Sequence, residues 1–208
     1  MKIYLIRHGE TPWNREKRFQ GQIDVPLNEY GRHIAEETRQ GLPVVRFDRA
    51  FSSPLCRARE TAEILLRDMP GVPIETDERL KEFGFGPYEG CSIPAVANDP
   101  AHPLYNCIWH PERYKAPAGA ESFVDLIRRA QDFICERILP LENSFCRNVL
   151  VSAHGAFNRA FVIAAGHKGV ADFWSVPYLI CAVTVLELSG GCFKLLEEAK
   201  IYYTPVPA

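Results

Sequence analysis

The 208-residue sequence predicts an α/β fold with a largely parallel sheet. Short runs of β-branched and aromatic residues alternate with longer segments whose apolar residues recur at helical spacing. This alternation is typical of domains in which helices pack on a mostly parallel sheet. In addition, 47% of the residues are apolar, which is enough to build a sizeable core. We therefore expect one domain over residues 1–208.

The predicted strands are short runs bounded by turn-forming or charged residues. The first of them, KIYLI, is apolar at nearly every position, which indicates a strand that is buried on both faces. Each of the others combines β-branched or aromatic residues over four to eight positions. In chain order the predicted strands cover residues 2–6 (KIYLI), 47–51 (FDRAF), 72–76 (VPIET), 148–153 (NVLVSA), 182–188 (AVTVLEL) and 192–199 (CFKLLEEA).

The predicted helices begin at residues that favour helix starts. Asn28 can cap a helix that runs to the neighbourhood of Gly41. Ser53 can cap the next helix, and Pro54 suits its first turn. Ser122 opens a third helix with a capping-box pattern, and an apolar face follows it. These helices lie between predicted strands, as the α/β interpretation requires.

The segment 91–119 interrupts this alternation. Five prolines divide it, and no regular element is evident. Its second half is rich in aromatic and cationic residues, namely Tyr105, Trp109, His110, Arg113, Tyr114 and Lys115. A long irregular stretch inside a compact domain is often a lid or a binding loop. We expect a lid or substrate-specificity insertion that could select an extended or additionally anionic substrate, with a plain surface excursion as the alternative.

Charge and composition exclude several classes of function. The formal net charge is −2, so there is no overall basic field to attract nucleic acid or an anionic membrane. The apolar run before Arg7 is too short for a signal peptide, and no run of 18 apolar residues occurs. The seven cysteines show neither C-x-x-C pairs nor zinc-finger spacing, which favours reduced thiols. We expect a cytoplasmic protein with no nucleic-acid or membrane partner.

His-Gly dipeptides follow two of the predicted strands. His8 and Gly9 come after the first strand, and His154 and Gly155 come after the fourth. The carboxyl ends of parallel strands meet at one sheet edge, where ligands bind in α/β folds. We therefore expect the two histidines to lie together. The second strand leads into a helix whose first turn carries Arg57, and this guanidinium should reach the same edge.

Four motifs in order make a specific resemblance. LIRHGETPWN, SSPLCRARETAE, RLKEFGFGPYEG and SAHGAFNR resemble the histidine phosphatase superfamily, also called the phosphoglycerate mutase-like family. The resemblance implies a three-layer α/β/α sandwich with a mostly parallel mixed sheet, and a single histidine phosphatase domain. It also implies a small phosphorylated metabolite as substrate, chemistry that needs no metal ion, and no cofactor.

The resemblance also implies a role for individual residues. His8 would be the nucleophile that becomes phosphohistidine, and Glu82 would be the proton donor, although Glu89 competes for that role. Neutral imidazole suits attack on a phosphate dianion, and guanidinium forks match phosphoryl oxygens. The residues implied around the phosphoryl group are Arg7, Arg57 and His154; those implied as phosphate or substrate contacts are Asn14, Gln20 and Gly21.

Three functions are compatible with these residues. The passage KEFGFGPYEG is similar to the phosphatase form of the family motif, which favours a phosphatase for small phosphate monoesters. The alternatives are a cofactor-dependent phosphoglycerate mutase and, from another class, a non-catalytic phospholigand-binding module. The sequence leaves open whether the protein is a monomer or a homodimer. The C-terminal IYYTPVPA could dock on its own domain or form a dimer contact.

Overall fold

The computed structural model describes residues 1–204, and within this range the strands form one mixed six-stranded sheet. The strands are β1 Lys2–Arg7, β2 Arg49–Ser52, β3 Ile74–Thr76, β4 Asn148–Ala153, β5 Val183–Ser189 and β6 Cys192–Lys200. Their order is β3-β2-β4-β1-β5-β6. The first four strands are parallel, β5 pairs with β1 in antiparallel fashion, and β6 pairs with β5 in antiparallel fashion. The predicted α/β fold is confirmed.

The three helices predicted from Asn28, Ser53 and Ser122 are present, together with further helices that the capping residues did not predict. Over residues 1–204 the helices are α1 Pro12–Arg15, α2 Glu29–Gly41, α3 Cys56–Leu65, α4 Ile93–Ala97, α5 Tyr105–Trp109, α6 Phe123–Phe133 and α7 Gly155–Ala164. Asn28 caps α2, because its side chain accepts a hydrogen bond from the Gly31 amide. Ser122 caps α6 in the same way, through the Asp125 amide, and α6 continues as a π-helical turn. Both predicted helix starts are therefore confirmed.

The apolar residues of β1 face two separate layers. Leu5 belongs to a core cluster that includes Phe133 of α6 and Phe157 of α7. Its neighbour Ile6 belongs to a second cluster, which includes Ile34 of α2. Successive side chains of a strand point to opposite faces, so a strand covered on both sides must be apolar throughout. This is why KIYLI has no polar alternation.

Of the element boundaries that differ from the prediction, two have a clear tertiary cause. The second strand begins at Arg49, since Asp48 precedes the ladder and its carboxylate binds the backbone amide of Asn148. The next helix begins at Cys56, not at Ser53 or Pro54. The Cys56 amide donates to the carboxylate of Asp24 at 2.8 Å. The helix start is thus stabilised by a residue far away in sequence, which a local capping rule does not detect.

The segment 91–119 is more regular than its prolines suggest. It contains α4, α5 and a 3₁₀ turn over Pro111–Arg113. Ser92 caps α4, and the indole Nε1 of Trp109 donates to the carbonyl of Ala97 at 3.0 Å. Two of its five prolines, Pro94 and Pro111, stand in first turns, where a missing amide hydrogen has no cost. Its role as a lid stays a prediction.

The tail IYYTPVPA lies only partly within the described residues. The Tyr202 hydroxyl donates to the carboxylate of Glu197 at 2.7 Å, and the Tyr202 carbonyl packs against Gly41. This residue therefore docks on its own domain, whereas the last four residues, 205–208, lie outside the described residues.

None of the helices within residues 1–204 combines the length and apolarity that crossing a bilayer requires.

Two glycines bring α2 against the segment that follows β1. A Cβ atom placed on Gly31 would lie 2.1 Å from the carbonyl oxygen of Glu10, and one placed on Gly9 would lie 2.5 Å from the carbonyl oxygen of Gly31. Neither distance is possible for real atoms, so both positions need glycine. The backbone beside His8 is consequently fixed by contact with the first turn of α2.

This contact predicts an unusual result for Gly31→Ala. In an unobstructed helix the change stabilises by about 1 kcal/mol. Here we expect it to lower the free energy of unfolding by roughly 2 kcal/mol, because the methyl group must displace backbone. Urea unfolding of both proteins measures the difference. Gly71→Ala is the matched control, since a Cβ there meets no atom within 4 Å; equal stabilities of the two variants would contradict the expectation.

Candidate active site

His8 lies at the carboxyl end of β1 and is 2% exposed. Its Nδ1 lies 2.6 Å from the carbonyl oxygen of Gly9. A carbonyl only accepts hydrogen bonds, so Nδ1 carries the ring proton. The other nitrogen, Nε2, then presents a lone pair, and Arg57 Nε donates to it at 3.2 Å. The tautomer of His8 is thus fixed with Nε2 unprotonated.

The Arg57 side chain is fully buried and is held by backbone carbonyls. Its guanidinium donates to Gly21 at 2.8 Å and to Ile23 at 2.9 Å. The Glu89 carboxylate fixes the same loop, because it accepts from the amides of Gln22 and Ile23, both at 2.8 Å. A Cβ on Gly21 would lie 2.0 Å from a Glu89 oxygen, so a larger residue here would displace that carboxylate from its amides.

His154 follows β4, and its ring centroid lies 5.1 Å from that of His8. The structure therefore brings together the two histidines that are 146 positions apart in the sequence. His154 Nε2 lies 2.8 Å from the hydroxyl of Ser53. Sequence reasoning assigned Ser53 only a capping role and missed this contact. The signal was its place at the end of β2, beside β4 in the sheet.

Glu82 lies against the amino end of α7. Its carboxylate accepts from the amides of Phe83 at 2.9 Å and of Ala156 and Phe157, each at 3.1 Å. The positive end of the helix dipole favours an anion at this place. Because α7 starts directly after His154, the same helix positions both the carboxylate and the histidine.

Two residues that line the space in front of His8 have buried donors without partners in the part of the chain that the structure describes. Arg7 donates through its Nη1 to the carbonyl of Tyr178, but its buried Nε has no partner within residues 1–204. The same holds for Nε2 of Gln20. The Asn14 oxygen accepts from the amide and the hydroxyl of Thr11, which orients that side chain. Buried donors are normally satisfied, so these groups indicate a site for an anion.

These donors line a cavity of about 240 Å³. Six predicted site residues contribute to its lining, namely Arg7, His8, Asn14, Gln20, Arg57 and Glu82. Two predicted residues lie behind it: His154 packs against His8, and the carbonyl of Gly21 is turned to Arg57. The lining residues that sequence reasoning missed are Arg18, Phe19, Phe85, Ile93, Ile108 and Trp174. Phe85 belongs to the KEFGFGPYEG motif and could have been found there, whereas Trp174 lies in a stretch with no motif.

Burial and neighbouring cations keep both histidines neutral. Burial, with the positive charges of Arg57 and Arg7, holds the pKa of His8 well below its usual range. Burial and the charge of Arg57 do the same to the pKa of His154. Burial lowers the pKa of Arg57 to about 10, so this guanidinium still carries its charge at neutral pH. The site therefore combines an uncharged imidazole with adjacent cations, which is suited to nucleophilic attack on an anion.

Comparison with known proteins identifies the family. A family model described as the histidine phosphatase superfamily (branch 1) matches residues 3–200. This chain belongs to the histidine phosphatase superfamily. The family expected from the four sequence motifs is thereby confirmed.

Relatives in the superfamily are named both as mutases and as phosphatases. The chain is 33% identical to 2,3-bisphosphoglycerate-dependent phosphoglycerate mutase 2 of Gloeobacter violaceus, over 99% of this chain and 95% of the relative. It is 32% identical to glucosyl-3-phosphoglycerate phosphatase of Mycolicibacterium vanbaalenii, over 78% and 73%. The solved structure of Bacillus stearothermophilus YhfR has a TM-score of 0.85 at 32% identity, covering 96% of this chain and 97% of that one. This histidine phosphatase superfamily member is accordingly an enzyme.

The buried neutral histidines predict a pH dependence of stability. The unfolded chain binds a proton at His8 near pH 6.5 and the folded chain does not, so stability falls as the pH drops below about 6.5. We expect His8→Asn to remove about 1.4 kcal/mol per pH unit from this slope. Urea unfolding between pH 5 and 8 measures it. Above pH 7 the two profiles should run parallel, which is the internal control; parallel profiles down to pH 5 would refute the assignment.

Proposed function

We propose that this protein is a phosphatase that hydrolyses small phosphate monoesters through a phosphohistidine at His8, without help from a metal ion. The observation that supports this most strongly is the fixed tautomer of His8, with Nε2 unprotonated and 3.2 Å from Arg57 Nε. A neutral nucleophile is not repelled by the dianionic ester, and the phosphoramidate that it forms is labile to water. The chemistry of the site thus suits both halves of a hydrolysis.

In the first step of the proposed reaction, the lone pair of His8 Nε2 attacks phosphorus and the ester P–O bond breaks. Charge on the equatorial phosphoryl oxygens is stabilised by Arg57 and by the unpartnered Nε of Arg7. The amides of Asn14 and Gln20 supply further donors from the cavity lining. Guanidinium groups perform here the charge neutralisation that a divalent cation performs in other phosphoryl transfer enzymes.

Glu82 is the proposed proton donor: it enters the first step as a carboxylic acid and gives its proton to the leaving oxygen as the P–O bond breaks. It lines the cavity with His8, and its carboxylate is positioned by the amides at the start of α7. In the second step the same carboxylate takes a proton from the water that attacks the phosphohistidine. Glu89, the competing candidate, spends its oxygens on the amides of Gln22 and Ile23 and is absent from the described lining of the cavity.

The second candidate is a cofactor-dependent phosphoglycerate mutase. The relative from Gloeobacter violaceus, which is 33% identical over nearly the whole chain, carries that name. A mutase must return the phosphoryl group to the substrate instead of losing it to water. The phosphatase form of KEFGFGPYEG favours hydrolysis. A non-catalytic module would be expected to lack a nucleophile or an acid, and the chain keeps both His8 and Glu82.

Two further proposals concern the cellular compartment and the oligomeric state of the enzyme. All seven cysteines are free, which fits the reducing conditions of the cytoplasm, and we propose that the enzyme acts there on a small phosphorylated metabolite. The cavity is built from residues of one chain, so a monomer is sufficient for the reaction and a homodimer is compatible with it.

The proposed reaction and its alternative differ in product. With 3-phosphoglycerate and a trace of 2,3-bisphosphoglycerate, we expect release of inorganic phosphate and no rapid formation of the 2-phospho isomer. Excess EDTA should leave the rate unchanged, because arginines supply the positive charge, and His8→Ala should lower it at least 1,000-fold, within the roughly 10³–10⁶ effect of losing a nucleophile. Phosphate colorimetry and chromatography measure both products. Rapid isomerisation without phosphate release would establish the mutase instead.

A matched pair of glutamates tests the proton donor. We expect Glu82→Gln to lower kcat for an alkyl phosphate by about 10²–10⁴, since a poor leaving group needs a proton. The loss should be much smaller for p-nitrophenyl phosphate, whose leaving group is stable as an anion. Steady-state assays of both esters give the ratio. Glu89→Gln is the control: it weakens the loop behind Arg57 and should affect both esters equally, and an equal effect of Glu82→Gln would remove Glu82 from the role.

A further inference from the structure

Arg159 lies on α7 and holds the loop 174–178, which supplies a partner to Arg7. The Nη2 group of Arg159 donates to the carbonyl of Val176 at 2.8 Å. Two residues further along the loop, the carbonyl of Tyr178 accepts from Nη1 of Arg7 at 2.5 Å. Resting on the proposed phosphoryl transfer, we propose that Arg159 is a positioning residue: through the loop 174–178 it orients Arg7 toward the phosphoryl group.

Two aromatic rings of this loop also contact the Arg159 guanidinium. It lies 4.9 Å from the centre of the Trp174 ring and 4.3 Å from that of Tyr178. The indole Nε1 of Trp174 donates to the carbonyl of Cys107 at 2.6 Å. The Tyr178 hydroxyl donates to the carboxylate of Glu198 at 3.1 Å. A guanidinium can lie against aromatic rings while it donates hydrogen bonds in its own plane, so Arg159 restrains both the rings and the backbone of the loop.

Arg7 and Arg159 pack against the same glycine although both are cations. A Cβ atom placed on Gly155 would lie 3.4 Å from Nη1 of Arg159 and 3.5 Å from Nε of Arg7. Burial, with the charge of Arg7, lowers the pKa of Arg159 to about 10, so this guanidinium stays charged at neutral pH. Like charges at short range repel, and Arg7 would turn away unless a fixed acceptor held it. The carbonyl of Tyr178 is such an acceptor.

The direction of Arg7 matters because its Nε is left for the substrate. Nη1 is engaged by the carbonyl of Tyr178, whereas the buried Nε has no partner among the described residues. The N–H groups of a guanidinium form a rigid fork, so the bond at Nη1 sets the direction of Nε. A misplacement of about 1 Å at a reacting centre can cost roughly 100-fold in rate. Arg159 is outside the described lining of the cavity, and its effect on the reaction is exerted through Arg7.

A double-mutant cycle between Arg159 and Arg7 tests the proposal. We expect Arg159→Lys to lower kcat/KM for p-nitrophenyl phosphate by about tenfold to 100-fold, because Lys keeps the charge but lacks the planar fork. In an Arg7→Ala background the same change should alter kcat/KM by less than about twofold, because the group that Arg159 orients is gone. Steady-state assays of the four proteins give the coupling. Equal factors in both backgrounds would overturn the proposal, since a general loss of packing acts independently of Arg7.

The matched control for this change is Arg137→Lys. The Arg137 guanidinium also lies on an aromatic ring, 4.9 Å from the centre of Phe51, and pairs with Glu75. Arg137 is outside the described lining of the cavity, so Arg137→Lys should leave kcat/KM unchanged in both backgrounds. A loss as large as that of Arg159→Lys would contradict a specific link between Arg159 and Arg7.

A second pair of variants decides the question if Arg159→Lys does not fold. Tyr178→Phe keeps the ring beside Arg159 and loses the hydroxyl bond to Glu198, whereas Tyr178→Leu loses the ring as well. We expect kcat/KM of Tyr178→Leu to be lower than that of Tyr178→Phe by roughly fivefold or more, because the loop is no longer restrained by Arg159. In an Arg7→Ala background this difference should disappear. Equal activities of the two variants with Arg7 present would contradict the proposal.

Binding of inorganic phosphate separates this proposal from the proposed hydrolysis. By calorimetry we expect Arg159→Lys to weaken phosphate binding by roughly fivefold or more when Arg7 is present, since a misdirected hydrogen bond to an anion loses much of its strength. In Arg7→Ala the same change should have no effect on phosphate binding.

The outcomes for the two proposals are distinct. If the wild-type protein hydrolyses no ester but its phosphate binding shows this coupling, the phosphatase proposal is wrong and the positioning role stands. If it hydrolyses esters and Arg159→Lys acts equally in both backgrounds, the phosphatase proposal stands and the positioning role is wrong. A wild-type protein that neither hydrolyses esters nor binds phosphate would overturn both.

Discussion

The hydrogen bond between Arg57 and His8 is the interaction on which the site depends. Complete burial of a guanidinium is costly unless all its donors are satisfied. Three backbone carbonyls of the loop 20–24 and one imidazole nitrogen accept from four of its five N–H groups. The loop must therefore keep its shape, and the Glu89 carboxylate holds it through two amides. Glycine at position 21 leaves the room that this carboxylate occupies.

The sheet order explains how distant residues reach this hydrogen bond. β2, β4 and β1 are adjacent and parallel, so their carboxyl ends lie side by side. His8 follows β1, His154 follows β4, and Ser53 with the helix of Arg57 follows β2. The close contact of Gly9 with Gly31 then fixes the backbone beside His8 against α2. Strand order and two glycines thus define the geometry of the candidate nucleophile before any ligand binds.

Sequence reasoning predicted the features that local patterns encode. Strand ends, helix caps such as Asn28, and the meeting of His8 with His154 follow from periodicity and from the parallel-sheet rule. It did not find contacts that depend on tertiary packing. The amide at the start of α3 is satisfied by Asp24, 32 residues earlier, and the Ser53 hydroxyl serves His154. No local pattern specifies such partners, because the fold alone brings them within bonding distance.

The lining of the cavity beside His8 also could not be predicted from local patterns. The aromatic and cationic residues of the segment 91–119 dominate its composition, yet two isoleucines line the cavity. Trp174 also lines the cavity, although it lies in a part of the sequence that contains no motif. Side-chain direction within short helices decides which residues face the site, and this direction cannot be read from composition.

The bond from the Trp174 indole to the carbonyl of Cys107 has a consequence for how such an enzyme diversifies. Because the acceptor belongs to the main chain, the side chain at 108 can be exchanged without loss of the bond. The polarity and shape of the cavity lining can then change one residue at a time while the Trp174 indole keeps its hydrogen bond. Laboratory libraries restricted to position 108 and its neighbours should consequently yield altered ester preferences without first having to rebuild the scaffold.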